Sequence, residues 1–388
     1  VKLPLYLDHN ATTPCTDDVL EAMLPYFSQH YGNASSTHHP YGWIADEAVE
    51  AARENVADLI GCSPKEIVFT SGATEAINLA IRGTLFSTQN QKGNHVITVS
   101  TEHAAVLDTC KVMESLGIEV TYLPVVPNGI LNLDELTTAI RKDTALICVM
   151  VANNETGVIQ PIQEIGEIAH RHGIVFMADG VQAVGKIPVD VQVLGVDLLP
   201  LSAHKMYGPK GVGALYVRKS NPKIELQSTI TGGGHERGRR SGTLNVPGIV
   251  GLGKTAQLQQ RHLHSEYTRL KALRDMLEAA ILQLPGTQRN GDAERRLPHV
   301  TNISFEGVES KDLLIAINKA VAVSSGSACS SVTERPSHVL QAMGVPEKLA
   351  KATLRFSLGK STTQEDIHFT IDHVSKTLAS LRKSTILT

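Results

Sequence analysis

The chain has 388 residues, 42% hydrophobic and 19% charged, with a formal net charge of -3. Lys and Arg number 36 against 39 Asp and Glu, a balance with no electrostatic pull toward nucleic acid or an anionic membrane. The composition excludes disorder, collagen and coiled coil, and at roughly 150 residues per domain the length fits two domains.

No stretch approaches the roughly 18 consecutive apolar residues of a membrane span. The opening residues lack the charged region and long apolar core of a signal peptide. Five cysteines, Cys15, Cys62, Cys110, Cys148 and Cys329, are scattered, odd in number and never spaced C-x-x-C. That argues for a reduced compartment and against a disulfide framework or a structural zinc. A cytoplasmic soluble enzyme is expected, with a binding protein as the other class.

In chain order, residues 17–29 read as a helix and 31–37 as a Gly/Asn/Ser-rich turn. Residues 67–70, 96–99, 120–123, 145–151, 174–178 and 197–201 read as strands. Helical patterns at 75–81, 104–116, 133–140 and 162–172 lie between them. This alternation predicts an α/β fold with a mainly parallel sheet between helices, ligands binding at the strands' carboxyl ends. Residues 245–284 form a helical connector ended by Pro285-Gly286. A smaller α+β pattern follows: strand 299–305, helix 311–318, strand 354–357 and a helix from Gln364, with Thr362 and Glu365 as its capping box. The expected division is a large domain over 16–256 and a small one from 1–15 with 257–388.

Three stretches carry chemistry. In Thr70-Ser71-Gly72-Ala73-Thr74-Glu75 a strand turns through small residues into a helix. That start either cradles a phosphate on free N–H groups or is an ordinary capped helix. Asp179, after an apolar strand, is an acid placed to meet a ligand, or an N-cap. Lys205, in Ser202-Ala203-His204-Lys205, follows another strand among small and polar residues. A lysine in a partly dry pocket can form a Schiff base, although most lysines are surface residues. Pyridoxal 5′-phosphate (PLP) needs all three: a Lys, an acid for its pyridine nitrogen and a phosphate cradle.

With these pieces in order, the sequence resembles the cysteine desulfurases of the NifS/IscS type, in the fold-type I, class V aminotransferase superfamily. The likeness runs from Tyr6-Leu7-Asp8-His9-Asn10-Ala11-Thr12-Thr13-Pro14 to the last helix. Ser202-Ala203-His204-Lys205, Arg240-Ser241-Gly242-Thr243, Ser324-Ser325-Gly326-Ser327-Ala328-Cys329 and Arg355-Phe356-Ser357-Leu358-Gly359 carry it. The resemblance implies a PLP-dependent enzyme converting L-cysteine to L-alanine. Lys205 would hold PLP and shuttle protons, Asp179 pair with the ring nitrogen, His103 stack on the ring and Gln182 bond its oxygen. Ala73, Thr74, Ser202 and His204 would hold the phosphate. Thr243 would reach it from the other subunit of a homodimer. Asn154 and Arg355 would bind the substrate carboxylate. Cys329 would attack the substrate sulfur, keep it as a persulfide and pass it to an acceptor such as an iron–sulfur scaffold.

The ending soon after Lys383 leans toward the shorter, nitrogen-fixation-type members and away from docking a scaffold through a long tail. The Ser-rich stretch around Cys329 leans toward direct transfer to acceptors. Residues 235–240 read as a dimer-interface loop with Arg239 and Arg240 paired or solvated, and nucleic acid is not expected. The remaining alternatives are selenocysteine lyase activity, a small-amino-acid aminotransferase and a sulfur-carrier subunit.

Overall fold

The computed structural model describes residues 3–88, 92–325 and 336–386. The chain opens with β1 (Leu5–Tyr6), α1 (Asp17–Met23), α2 (Pro25–Ser28) and α3 (Pro40–Ile60). Next come β2 (Ile67–Thr70), α4 (Ala73–Leu85), β3 (His95–Val99), α5 (Ala104–Ser115), β4 (Glu119–Leu123) and α6 (Leu133–Ala139). β5 (Thr144–Cys148), α7 (Ile162–Arg171), β6 (Val175–Met177), β7 (Leu198–Ser202) and β8 (Gly213–Val217) complete a large sheet. α8 (Val246–Ile281) leads into β9 (Thr287–Arg289), β10 (Val300–Phe305), α9 (Ser310–Asn318) and β11 (Val321–Ala322). α10 (His338–Ala342), α11 (Glu347–Lys351), β12 (Thr353–Ser357) and α12 (Gln364–Ile386) close the described chain.

The seven-stranded sheet has the order β2-β8-β7-β6-β5-β3-β4. Only β8 runs against its neighbours; the other pairings are parallel. Every residue of β2, β3, β5, β7 and β8 is buried, because helices cover both faces. Alternate residues serve opposite faces, as the strand period of two requires. Val68, Val96, Leu146 and Leu198 pack with α4 and α5. Phe69, Ile97, Ile147 and Leu199 pack with α3, α7 and the first half of α8.

A second core forms around the antiparallel sheet β12-β10-β9 and α12. Leu5 and Leu7 belong to it, and β1 pairs with β11. α8 runs through both cores: Val246, Ile249, Leu252 and Ala256 enter the first, and Leu270, Leu273, Leu277 and Ile281 the second. Among the described residues, no helix is long and apolar enough to cross a membrane.

Several boundaries differ from the sequence reading. The helix expected over 17–29 breaks before Pro25, whose nitrogen has no hydrogen to continue the ladder. β5 ends at Cys148 rather than 151. The capping box of α12 sits one residue later: Asp366 N–H donates to Thr363 Oγ1, and Thr363 N–H to Asp366 Oδ2. Thr362 Oγ1 instead accepts from Gly359 N–H. α3 and β8 have no counterpart in the sequence reading.

Candidate active site

The strand ends converge on one place. β7 runs into a short turn, Ala203–Lys205, where Lys205 Nζ donates to the carbonyls of Asn10 and Ala11, both at 2.7 Å. Two residues on, Tyr207 adopts a left-handed φ of 73°, a conformation costing roughly 1–3 kcal/mol. It is held there: its N–H donates to Thr13 Oγ1 at 2.7 Å, and its hydroxyl accepts from Lys360 N–H at 2.8 Å. β8 passes close behind. A Cβ on Gly213 would stand 2.5 Å from the Leu201 carbonyl and 2.8 Å from Gly72 Cα, so only glycine fits.

Asp179 follows β6 and is buried. Its Oδ1 accepts from Val181 N–H at 3.0 Å. Burial raises its pKa, against the pull of that bond and of His103 and Lys205. A buried carboxylate in this state fits a cationic ring nitrogen, which would keep it ionised. His103 caps α5, its Nδ1 accepting from Ala105 N–H at 3.1 Å. In the neutral ring this puts the proton on Nε2. Burial lowers the His103 pKa, Asp179 opposes that, and Lys205 and His338 reinforce it. Lys205, Asp179 and His103 thus form one electrostatic group.

Gln182 Nε2 donates to the Asn10 carbonyl at 3.0 Å, and its Oε1 accepts from Lys186 at 2.7 Å. An amide nitrogen carries two hydrogens, so one remains for a ring oxygen. At the cradle, the ladder of α4 begins with Ala76 N–H on the Gly72 carbonyl. The amides of Ala73, Thr74 and Glu75 stand outside it, at the positive end of the helix. Ser202 ends β7 and is buried. His204 Nδ1 lies 3.1 Å from Thr12 Oγ1. Burial, then Lys205, Lys210 and Lys186, push its pKa down to about 4, the condition that a phosphate would reverse. These groups fit PLP: an amine, an acid for the ring nitrogen, an amide for the ring oxygen and a helix start for the phosphate.

Arg355, on β12, is buried. Its Nη2 pairs with Asp8 Oδ1 at 2.6 Å and its Nη1 donates to the Asn154 carbonyl at 2.9 Å. Its Nε has no partner among the described residues. Asn154 enters this network through its backbone carbonyl. Thr243 is exposed, three residues past Arg240, whose Nε pairs with Glu75 at 2.8 Å. Glu236, in the same loop, is locked to buried Arg53 by two 2.9 Å bonds.

Cys329 lies outside the described residues. The described flanks of that stretch both end at the site. Ser324 bridges to Arg355; Ser337 Oγ donates to the Glu155 carboxylate, and His338 Nε2 bonds the Glu102 carbonyl at 3.0 Å. Of the other cysteines, burial raises the thiol pKa of Cys62, Cys110 and Cys148, disfavouring thiolates there. Cys15 is exposed, its pKa raised by partial burial.

The sequence reading assigned nothing to Asn10, Lys186 or Glu155, and quoted Glu102 only as the neighbour of His103. Glu102 is buried beneath the site, with Oε1 accepting from Met150 N–H at 2.6 Å and Oε2 without a partner among the described residues.

The profile of the family described as Aminotransferase class-V matches residues 5–369. A protein named Cysteine desulfurase IscS from Anaeromyxobacter dehalogenans is 53% identical over 99% of this chain and 94% of its own. A solved NifS-like protein superposes with a TM-score of 0.90 at 37% identity, covering 98% of this chain and 100% of the other. A structure described as SspA in complex with cysteine gives a TM-score of 0.82 at 40% identity, over 91% and 98% of the two chains. The chain belongs to the PLP-dependent class-V aminotransferase family, among its cysteine desulfurases.

Proposed function

We propose that this enzyme takes the sulfur of L-cysteine onto Cys329. L-cysteine and the Cys329 thiol become L-alanine and a Cys329 persulfide, so atoms and electrons balance with no outside oxidant. The observation that carries the reading is the meeting of Lys205, Asp179 and His103 at three strand ends, with their charges interacting. When bound, PLP supplies the electron sink that loosens the substrate's bond to sulfur.

Lys205 holds the cofactor through its amine, and Asp179 keeps the ring nitrogen charged. Gln182 would donate to the ring oxygen, and His103 would lie against the ring and move a proton. Ala73, Thr74, Ser202 and His204 receive the phosphate. Arg355, with Asn154, takes the substrate carboxylate, for which a guanidinium is suited by shape and charge. The described residues on either side of Cys329, Ser324 and His338, meet Arg355 and the Glu102 carbonyl, which supports giving Cys329 this role.

The active form is a homodimer in which Thr243 completes the neighbouring phosphate site. Exposed Leu20, Leu24, Phe27, Tyr31, Tyr41 and Trp43, on or between the first three helices, support that reading, since clustered exposed apolar side chains mark interaction surfaces. The domains divide within α8, near residue 257. The persulfide passes to a sulfur-acceptor protein in the cytoplasm, with an iron–sulfur scaffold as the first candidate. Lys205→Ala tests the carrying observation. It should lose the visible absorption of covalently held cofactor and all alanine formation; a variant keeping both would overturn the assignment.

A further inference from the structure

Every polar atom of Asn10 is engaged, and the residue is 1% exposed. Its N–H donates to Ser357 Oγ at 2.9 Å, and its Nδ2 to the Asn154 carbonyl at 3.0 Å. Its Oδ1 accepts from His299 Nε2 at 2.8 Å and from Lys186 Nζ at 3.5 Å. Its carbonyl accepts from Lys205 Nζ at 2.7 Å and Gln182 Nε2 at 3.0 Å.

This pattern fixes the side chain one way round. Turning the amide over would set Oδ1 against the Asn154 carbonyl, acceptor against acceptor. With the side chain and N–H of Asn10 anchored and Ala11 N–H donating to the Asp8 carbonyl at 3.0 Å, the peptide joining Asn10 to Ala11 is held in one orientation. Two successive carbonyls then converge on one amine, since Ala11 also accepts from Lys205 at 2.7 Å. The free amine is thereby held by two carbonyls. The same Asn10 carbonyl holds Gln182, and Lys186 closes the ring by bonding Gln182 Oε1 at 2.7 Å. On the other side, the Asn154 carbonyl that takes Asn10 Nδ2 also takes Arg355 Nη1.

We propose that Asn10 is a positioning residue that sets the Lys205 amine and the Gln182 amide at a fixed distance and angle from Arg355. It touches no reacting atom; it acts by orienting the peptide on which Lys205 and Gln182 rest. His299 assists by holding Asn10 Oδ1 from β10's side of the molecule. The charged and titratable groups around the network are Lys186, Lys205, His299, His9, Arg274 and Arg355. This proposal rests on Lys205 being the residue that carries the cofactor.

The test uses the full-length holoenzyme and three variants: Asn10→Ala, His299→Ala and the double variant. Visible circular dichroism reads the tilt of the bound cofactor, and titration of the stripped protein with PLP reads its affinity. Asn10→Ala is expected to alter the dichroic band and weaken PLP binding by roughly tenfold or more, the scale of one charge-assisted hydrogen bond. It should lower kcat more than it raises KM. His299→Ala should shift the same readouts in the same direction by less, and the double variant should be no worse than Asn10→Ala, since both act through one peptide.

An Asn10→Ala enzyme with unchanged dichroism and PLP affinity within about twofold overturns the proposal, whatever its melting temperature. So does a double variant whose loss is the product of the two single losses. If Asn10→Ala does not fold, His299→Ala decides: a parental band and affinity there refute the coupling. Lys205→Ala separates the two readings, because persistence of the covalent cofactor band in that variant refutes the Lys205 assignment rather than the role of Asn10.

Discussion

Asp179→Asn removes a charge and leaves a shape. Among the described residues its side chain accepts one hydrogen bond, from Val181 N–H to Oδ1, and this survives because an amide oxygen accepts as a carboxylate does. What goes is the attraction between a buried negative charge and the protonated ring nitrogen. Two unit charges about 4 Å apart interact by about 4 kcal/mol at the effective dielectric of a protein site. If the transition state depends on that charge in full, the loss is about a thousandfold in kcat, at 1.36 kcal/mol per decade. Alanine formation from saturating L-cysteine is the assay, with absorption spectra to establish that the cofactor is still bound. A cofactor-loaded Asp179→Asn enzyme within about tenfold of the parent would refute the reasoning, because the ring would then need no anionic partner. Asp179→Ala, which also loses the Val181 bond, should be worse than Asp179→Asn.

Three further outcomes are expected. Arg355→Lys should raise KM for L-cysteine by about tenfold to a hundredfold, the worth of a charge-assisted hydrogen bond to the substrate carboxylate; an unchanged KM would remove Arg355 from substrate binding. Glu236→Ala takes from buried Arg53 its two bonds to that carboxylate, leaving it the half-exposed Glu50, and leaves Phe69 N–H without its 2.7 Å acceptor. Breaking a buried pair from one side costs about 3–5 kcal/mol, to be read as a lowered thermal or urea midpoint. Glu102 gives a pH signature. Burial, with Asp179 nearby, pushes its pKa well above the carboxylate range, so the folded protein keeps a proton that the unfolded chain releases above about pH 4.3. Its stabilising contribution is complete below that pH and is lost as pH rises toward the folded pKa. Glu102→Gln keeps the acceptor for Met150 and cannot ionise. Its melting temperature relative to the parent should therefore improve from about pH 5 to about pH 8, and an equal difference at both would contradict a neutral Glu102.

Most of the large sheet was readable because strands such as β2, β5 and β7 are mainly apolar and fully buried. Ile67-Val68-Phe69-Thr70 and Leu198-Leu199-Pro200-Leu201 announce themselves, and Thr74 and Lys205 follow them directly. α3 was overlooked although its ends are marked, with Pro40 in the first turn and Gly61 at a left-handed φ of 70°. Its buried face includes Ala45, Ala52 and Ala57, which give little hydrophobic contrast beside Glu47, Glu50 and Glu54. β8 follows β7 after a glycine-rich turn, and its apolar Ala214-Leu215-Tyr216-Val217 does not reveal that it runs antiparallel. Periodicity reports burial, whereas direction depends on which partners are paired.

The supporting network around the site was hidden for another reason. Asn10 lies 195 positions from Lys205 and 289 from His299 in the chain, and no local pattern links residues so far apart. Its partners become evident only when β1 and the residues after it are laid between the two cores. Glu102 was masked by its type: an acid beside a strand end reads as a surface group. Only the fold shows that both carboxyl oxygens are enclosed.

The most direct test of the account is the fate of the sulfur. The enzyme, with PLP bound, is given one equivalent of L-cysteine without reductant, digested and examined by mass spectrometry beside Cys329→Ala, with alanine measured in both. The account predicts one added sulfur atom on the peptide containing Cys329, released by reductant, and neither sulfur transfer nor matching alanine from the variant. Alanine formation at the parental rate by Cys329→Ala, or added sulfur on Cys15 with none on Cys329, would contradict it.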